Sequence, residues 1–151
     1  MVGGYLIDTS VLSALAPARP TVSKDLADWM VEKGSKGKLF LSSVNIAEIE
    51  SGIRKLHRTG GRARAENLQE WLNQLLRDFD SKILPFNTSS ALLAGRMDDE
   101  ATGKGRHPGF ADIAIAATAA ANALTVLTAN ERHFDVLGID FVNPLFALPA
   151  E

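Results

Sequence analysis

Short apolar runs and longer stretches of helical period alternate along this chain. The runs Tyr5-Leu6-Ile7, Lys38 to Leu41, Ile83 to Phe86, Leu124 to Thr128 and Ile139 to Val142 are bounded by turn residues, which is how strands read. Between them, apolar residues recur every three or four positions. Thr21 is a candidate N-cap for a helix over Val22 to Lys33, whose Leu26, Trp29, Met30 and Lys33 share a face; Gly34 and Gly37 end it. Ser42, Ser43 or Asn45 is placed to cap the next helix, and Ile46, Ile49, Ile53 and Leu56 form its apolar stripe. Thr59-Gly60-Gly61 interrupts the pattern before Ala65, Leu68, Leu72, Leu75 and Phe79 begin another stripe. Two long helices joined by a Gly-Gly turn predict a helical hairpin.

The second half repeats the scheme. Asn87 or Thr88 caps a helix carrying Ala91, Leu92, Ala94 and Met97, and the acidic run Asp98-Asp99-Glu100 reads as solvated surface. Phe110-Ala111-Asp112 opens an alanine-rich helix over Ile113 to Ala121, suited to close packing on a sheet, with Asn122 as its stop. A helical turn is expected over Arg132 to Phe134. Strands alternating with helices predict an α/β fold with a central, mostly parallel sheet of about five strands flanked by helices, the hairpin standing outside the sheet. At 151 residues the chain suits a single domain spanning 1–151.

Composition narrows the chemistry. Hydrophobic residues are 46% and charged residues 23%, ordinary globular values. The absence of cysteine excludes disulfides, zinc-thiolate sites and thiol nucleophiles, and leaves oxygen ligands for a hard cation. No apolar run reaches the roughly 18 residues that span a bilayer, because Ile113 to Leu124 is broken by Thr118 and Asn122. No membrane association and a cytoplasmic location are the default expectation.

The net charge of −2 announces no nucleic-acid partner, but its distribution is uneven. Arg54, Lys55, Arg58, Arg62 and Arg64 crowd a segment that contains no acid. Such a patch suits a phosphate backbone, and it equally suits a solvated helical face.

Asp8, Glu48, Asp112 and Asn130 share a placement, each at the end of a predicted strand or near the start of a helix. In a parallel sheet those positions fall on one edge, where ligands bind. Crowded carboxylates repel one another unless a cation neutralises them, and oxygen ligands that leave water in place suit Mg²⁺ or Mn²⁺. Glu48 alone is also explained by the helix dipole. Other readings fail locally. Gly103-Lys104-Gly105 does not follow a strand within a βαβ unit, as a dinucleotide fingerprint requires. A receiver domain calls for an acidic pair after the first strand, and a D-x-D phosphatase calls for an acid where Ser10 stands.

The segments Leu6-Ile7-Asp8-Thr9-Ser10-Val11, Leu41 to Ile49 with Gly52, Ala111 to Ala119, and Leu124 to Asn130 with Phe134 together resemble the PIN-domain endoribonucleases, and among them the VapC/FitB-like toxins of bacterial toxin–antitoxin pairs. The resemblance implies a PIN-like three-layer fold and a metal-dependent ribonuclease. Asp8, Glu48 and Asp112 are its implied acidic metal ligands, and Ser10 and Thr128 its orienting hydroxyls. Asn130 falls where relatives carry a fourth aspartate or an asparagine. Hydrolysis by metal-activated water implies 5′-phosphate and 3′-hydroxyl ends, with the Arg54 to Arg64 patch gripping RNA. A homodimer and a small antitoxin partner, in a heterotetramer or larger assembly, are implied as well. The alternative is a degenerate PIN module that binds RNA or protein without cutting, for which Asn130 speaks. His57, His107 and His133 read as loop or surface residues, and Asp135 as surface. Repulsion at the site further predicts that Asp8→Ala ends cleavage and leaves the fold intact or firmer.

Overall fold

The computed structural model describes residues 3–151. Strand β1 (Tyr5–Ile7) leads into α1 (Thr9–Ala14), followed by α2 (Lys24–Ser35), β2 (Leu39–Ser42), α3 (Ser43–Arg58) and α4 (Arg62–Phe79). Then come β3 (Ile83–Leu84), α5 (Thr88–Gly103), α6 (Phe110–Ala121), β4 (Thr125–Leu127), α7 (Glu131–Phe134) and β5 (Phe141–Val142). The sheet runs β3-β2-β1-β4-β5, and every pairing in it is parallel.

Alternation along the strands divides the core. In β1, Tyr5 and Ile7 point with Leu39, Leu41 and Leu127 toward α1 to α4, whereas Leu6 points with Val126 toward α5 and α6. This is the period-two geometry of a pleated strand, and burial on both faces explains why the runs are apolar throughout. Three layers follow, helices on either side of one sheet. Ala114 to Ala117 and Ala119 are fully buried, so the small side chains of α6 bring its backbone close to the sheet.

The hairpin of α3 and α4 turns at Gly60, whose φ of +93 falls in the region that glycine adopts without strain. Its inner stripe, Ile49, Ile53, Ala65, Leu72 and Leu75, belongs to the core beneath it. Both ends of α2 differ from expectation, since it runs through Gly34 to Ser35 instead of ending at Lys33. Helix α2 starts at Lys24 with Ser23 as its cap, its hydroxyl accepting the Leu26 N–H at 3.2 Å, rather than with Thr21. Val22 is withheld from the helix because its side chain packs against the core just ahead of the cap. No helix among the described residues is long and apolar enough to cross a membrane.

Candidate active site

Asp8 follows β1 and is held there by its N–H, which donates to Leu127 O at 2.8 Å across the sheet. The residue is only 2% exposed. Ser10 Oγ and Thr128 Oγ1 both donate to Asp8 Oδ2, at 2.6 and 2.9 Å. Each hydroxyl also accepts a backbone N–H, Ser10 from Ala129 at 3.0 Å and Thr128 from Asn130 at 2.9 Å. With those N–H groups aimed at their oxygens, the two hydroxyl protons are directed at the carboxylate. Oδ2 is thereby fixed, and the orienting role expected of Ser10 and Thr128 has a geometric basis.

Glu48 sits on α3, which begins where β2 ends. Ser42 caps the helix, accepting Asn45 N–H at 3.1 Å, and Asn45 Oδ1 accepts the Ser42 N–H at 2.7 Å in return. Asn45 is fully buried, and its amide Nδ2 donates to Thr9 Oγ1 at 2.8 Å. Thr9 in turn donates to Glu48 Oε1 at 2.6 Å. A relay of three side chains, Asn45, Thr9 and Glu48, therefore connects the capping box of α3 to the carboxylate six residues beyond the cap. Burial pushes the Glu48 carboxyl above its ordinary range; Thr9's hydrogen bond partly offsets this, and repulsion from Asp8 and Asp112 adds to it.

Asp112 lies in the first turn of α6 and is held by His133 from α7, with Nδ1 and Oδ2 2.8 Å apart. Its carboxyl is raised first by burial and then by Asp8, against the lowering effect of His133. Asp8, Glu48 and Asp112 are thus close enough to perturb one another, although they come from three separate segments. Asn130 stands beyond the end of β4 as the residue before α7; its side chain is exposed and makes no cap hydrogen bond, and only its backbone reaches Thr128.

The donor set fits a hard divalent cation. Three carboxylates converge on one edge, Glu48 and Asp112 are held above their ordinary pKa values by burial and then by neighbouring carboxylates, Asp8 in both cases, and a cation would relieve that repulsion. As placed, no three acidic or histidine side chains among the described residues close on a common point. Each acid rests instead on its own donor: Asp8 on two hydroxyls, Glu48 on Thr9, Asp112 on His133.

Thr9, Asn45 and His133 are the residues that sequence reasoning missed. For His133 a signal existed, since a helical turn after Asn130 had to begin at the same sheet edge. Asp135 keeps its surface role, pairing with Arg106 at 3.1 Å, while that guanidinium also donates to Arg132 O. The basic segment is less uniform than its sequence. Arg54 is paired with Glu50 at 2.8 Å and Arg62 with Glu66 at 3.1 Å, so acids four positions away reach into it. Among the described residues Lys55, Arg58 and Arg64 have no ion-pair partner, and they diverge. Lys55 lines the cleft that holds Glu48, Arg64 lines a hollow with Ser13 and Arg19, and Arg58 is exposed near the Gly-Gly turn.

Comparison with known proteins fits this arrangement. The PIN domain matches residues 5–139. The chain belongs to the PIN-domain family. Among relatives of this PIN domain, the VapC ribonuclease Y4jK of Sinorhizobium fredii is 28% identical over 139 residues, covering 92% of this chain and 96% of that protein. Toxin FitB of Neisseria gonorrhoeae is 31% identical over 140 residues, again 92% of this chain and 96% of the relative. The crystal structure of FitAcB from N. gonorrhoeae superposes with a TM-score of 0.78 at 30% identity, covering 93% of this chain and 97% of the other.

Proposed function

We propose that this PIN domain is a Mg²⁺- or Mn²⁺-dependent endoribonuclease and the toxin of a toxin–antitoxin pair. The observation that carries the reading is the convergence of Asp8, Glu48 and Asp112 on one sheet edge, with Glu48 and Asp112 raised by burial and neighbouring carboxylates and Asp8 fixed by two hydroxyls. Similarity to a protein named a ribonuclease and to one named a toxin supports it.

In this reading Asp8, Glu48 and Asp112 hold the cation. A hard divalent cation in such a site supplies acidified water and charge compensation for phosphodiester hydrolysis. Ser10 and Thr128 hold Asp8 with one oxygen committed to hydroxyl protons and the other available. Thr9 keeps Glu48 on the same edge. His133 restrains Asp112 through the 2.8 Å contact of its Nδ1. Hydrolysis by water, without the ribose 2′-hydroxyl as nucleophile, leaves 5′-phosphate and 3′-hydroxyl ends. A homodimer bound by a small antitoxin completes the proposal.

Cleavage of a structured RNA with Mg²⁺ or Mn²⁺, by the wild type and Asp8→Asn, tests the activity. Metal-dependent cutting by the wild type alone, with ends that ligate as 5′-phosphates, is the expected result. Equal inactivity of two well-folded proteins would sink the enzyme reading. The second reading, a PIN module that binds without cutting, is favoured by the neutral Asn130, and that outcome would support it.

A further inference from the structure

Beside Glu48 lies a cleft of about 690 Å³ lined by Val44, Ala47, Glu48, Lys55, Phe110 and Ala111, among others. Three features of it have no role in holding the acids. Phe110 begins α6 two residues before Asp112, yet it is 68% exposed, an unusual position for a large aromatic. Its ring meets Phe86 edge to face, with centroids 5.8 Å apart at 80°. That contact leaves at least one face of the ring open. Lys55 stands two helical turns along α3 from Glu48, on the same side of the helix, and has no ion-pair partner among the described residues. The wall between them is small, with Ala47, Ser51 and Gly52 leaving room for a planar group.

We infer that this cleft is a nucleotide subsite, in which the base of an unpaired RNA nucleotide next to the cut stacks on Phe110 while a neighbouring phosphate meets Lys55. The occupant follows from the chemistry present: an open aromatic face for a π-system, a cation for a phosphate, and Glu48 of the acid set in the wall, with Ala111 next to Asp112. A duplex cannot enter this way, since its bases are stacked on one another. The subsite therefore selects single-stranded or looped RNA. It rests on the nuclease reading for the position of the cut, but not for the stacking itself.

The test has two arms. In the first, steady-state cleavage of a short single-stranded RNA is compared for the wild type, Phe110→Ala and Phe110→Trp. Loss of one base stack is expected to raise KM about tenfold in Phe110→Ala, with the change in KM and not in kcat, and Phe110→Trp restores it. With an abasic nucleotide at the stacking position, wild type and Phe110→Ala converge. An unchanged KM overturns the proposal. So does a loss of activity that tracks a change in sedimentation, because the cleft is then covered by a second copy of the chain. The second arm needs no cleavage: in metal-free buffer, single-stranded RNA quenches the added tryptophan emission of Phe110→Trp, whereas duplex RNA does not. Quenching without any wild-type cleavage leaves the subsite standing and removes the nuclease reading; cleavage without quenching does the reverse.

Discussion

Replacing Asp8 by alanine and by asparagine separates two forces that the site combines. Both substitutions remove the negative charge, so both relieve repulsion from Glu48 and Asp112, and that gain cancels when the variants are compared. They differ at Oδ2. Asparagine can put its amide oxygen there and keep the protons of Ser10 and Thr128, as neutral bonds contributing about 1 kcal/mol each. Alanine leaves the Thr128 hydroxyl, on a residue with no exposure, with only the long 3.4 Å contact to Ser10 Oγ in place of its carboxylate, at a cost of about 1 to 3 kcal/mol; Ser10 is partly exposed and recovers a bond from water. The Asp8 side chain makes no cap hydrogen bond to α1, so loss of helix capping does not blur the contrast. Asp8→Ala is expected to be less stable than Asp8→Asn by about 2 kcal/mol, which in a chain of this length lowers Tm by roughly 4 to 8 °C. Thermal unfolding followed by circular dichroism with a chelator present measures it. Equal Tm values would show that the hydroxyls hold Asp8 at no energetic consequence, and Asp8→Ala melting above the wild type would restore the simpler expectation that repulsion alone governs this residue.

Three further outcomes follow from the same geometry. Glu48 and Asp112 have folded-state pKa values raised above the ordinary 4.5 and 3.8, so the folded chain binds more protons than the unfolded one between those values and the raised ones. The metal-free protein should therefore lose stability as pH rises through that window, and Glu48→Gln should flatten the slope in a pH series of chemical denaturation. Added Mn²⁺ should raise Tm, by about 2.7 kcal/mol of stabilisation at a hundredfold excess over its Kd, and Asp112→Asn should weaken that shift in differential scanning fluorimetry. Thr9→Val leaves the buried Asn45 amide without its acceptor and Glu48 without its donor, and should cost about 1 to 3 kcal/mol in urea unfolding together with a loss of cleavage.

What the sequence revealed of this fold is what depends on period and position. The apolar runs located the strands because a strand buried on both faces must be apolar throughout, and Asp8 and Asp112 were legible because a polar residue abruptly follows or interrupts such a pattern. Ser42 and Asn45 were legible as candidate caps. That both act, and that Asn45 also reaches Thr9, depends on which way an amide turns inside the protein, which no spacing encodes. For His133 the sequence offered the expected helical turn at the same sheet edge, but its partner Asp112 lies across from α7 on α6. The basic segment, which suits a phosphate backbone and a solvated helical face equally, looked uniform in sequence because the acids that pair with Arg54 and Arg62, Glu50 and Glu66, lie just outside it and return through the helical repeat.

The position of β1 between β2 and β4 has a consequence for the order in which the protein is made. Asp8 and its Thr128 donor are separated by 120 positions, and Asp112 also belongs to the last third of the chain. A ribosome adding about 5 to 20 residues per second leaves Asp8 waiting roughly ten seconds for the strand that completes its surroundings. Throughout that interval the emerging polypeptide has the early acids and not the edge they form. A product of premature termination before β4 lacks both Thr128 and His133, and the three acids have their full set of hydrogen-bonding partners only once β4 and α7 have followed.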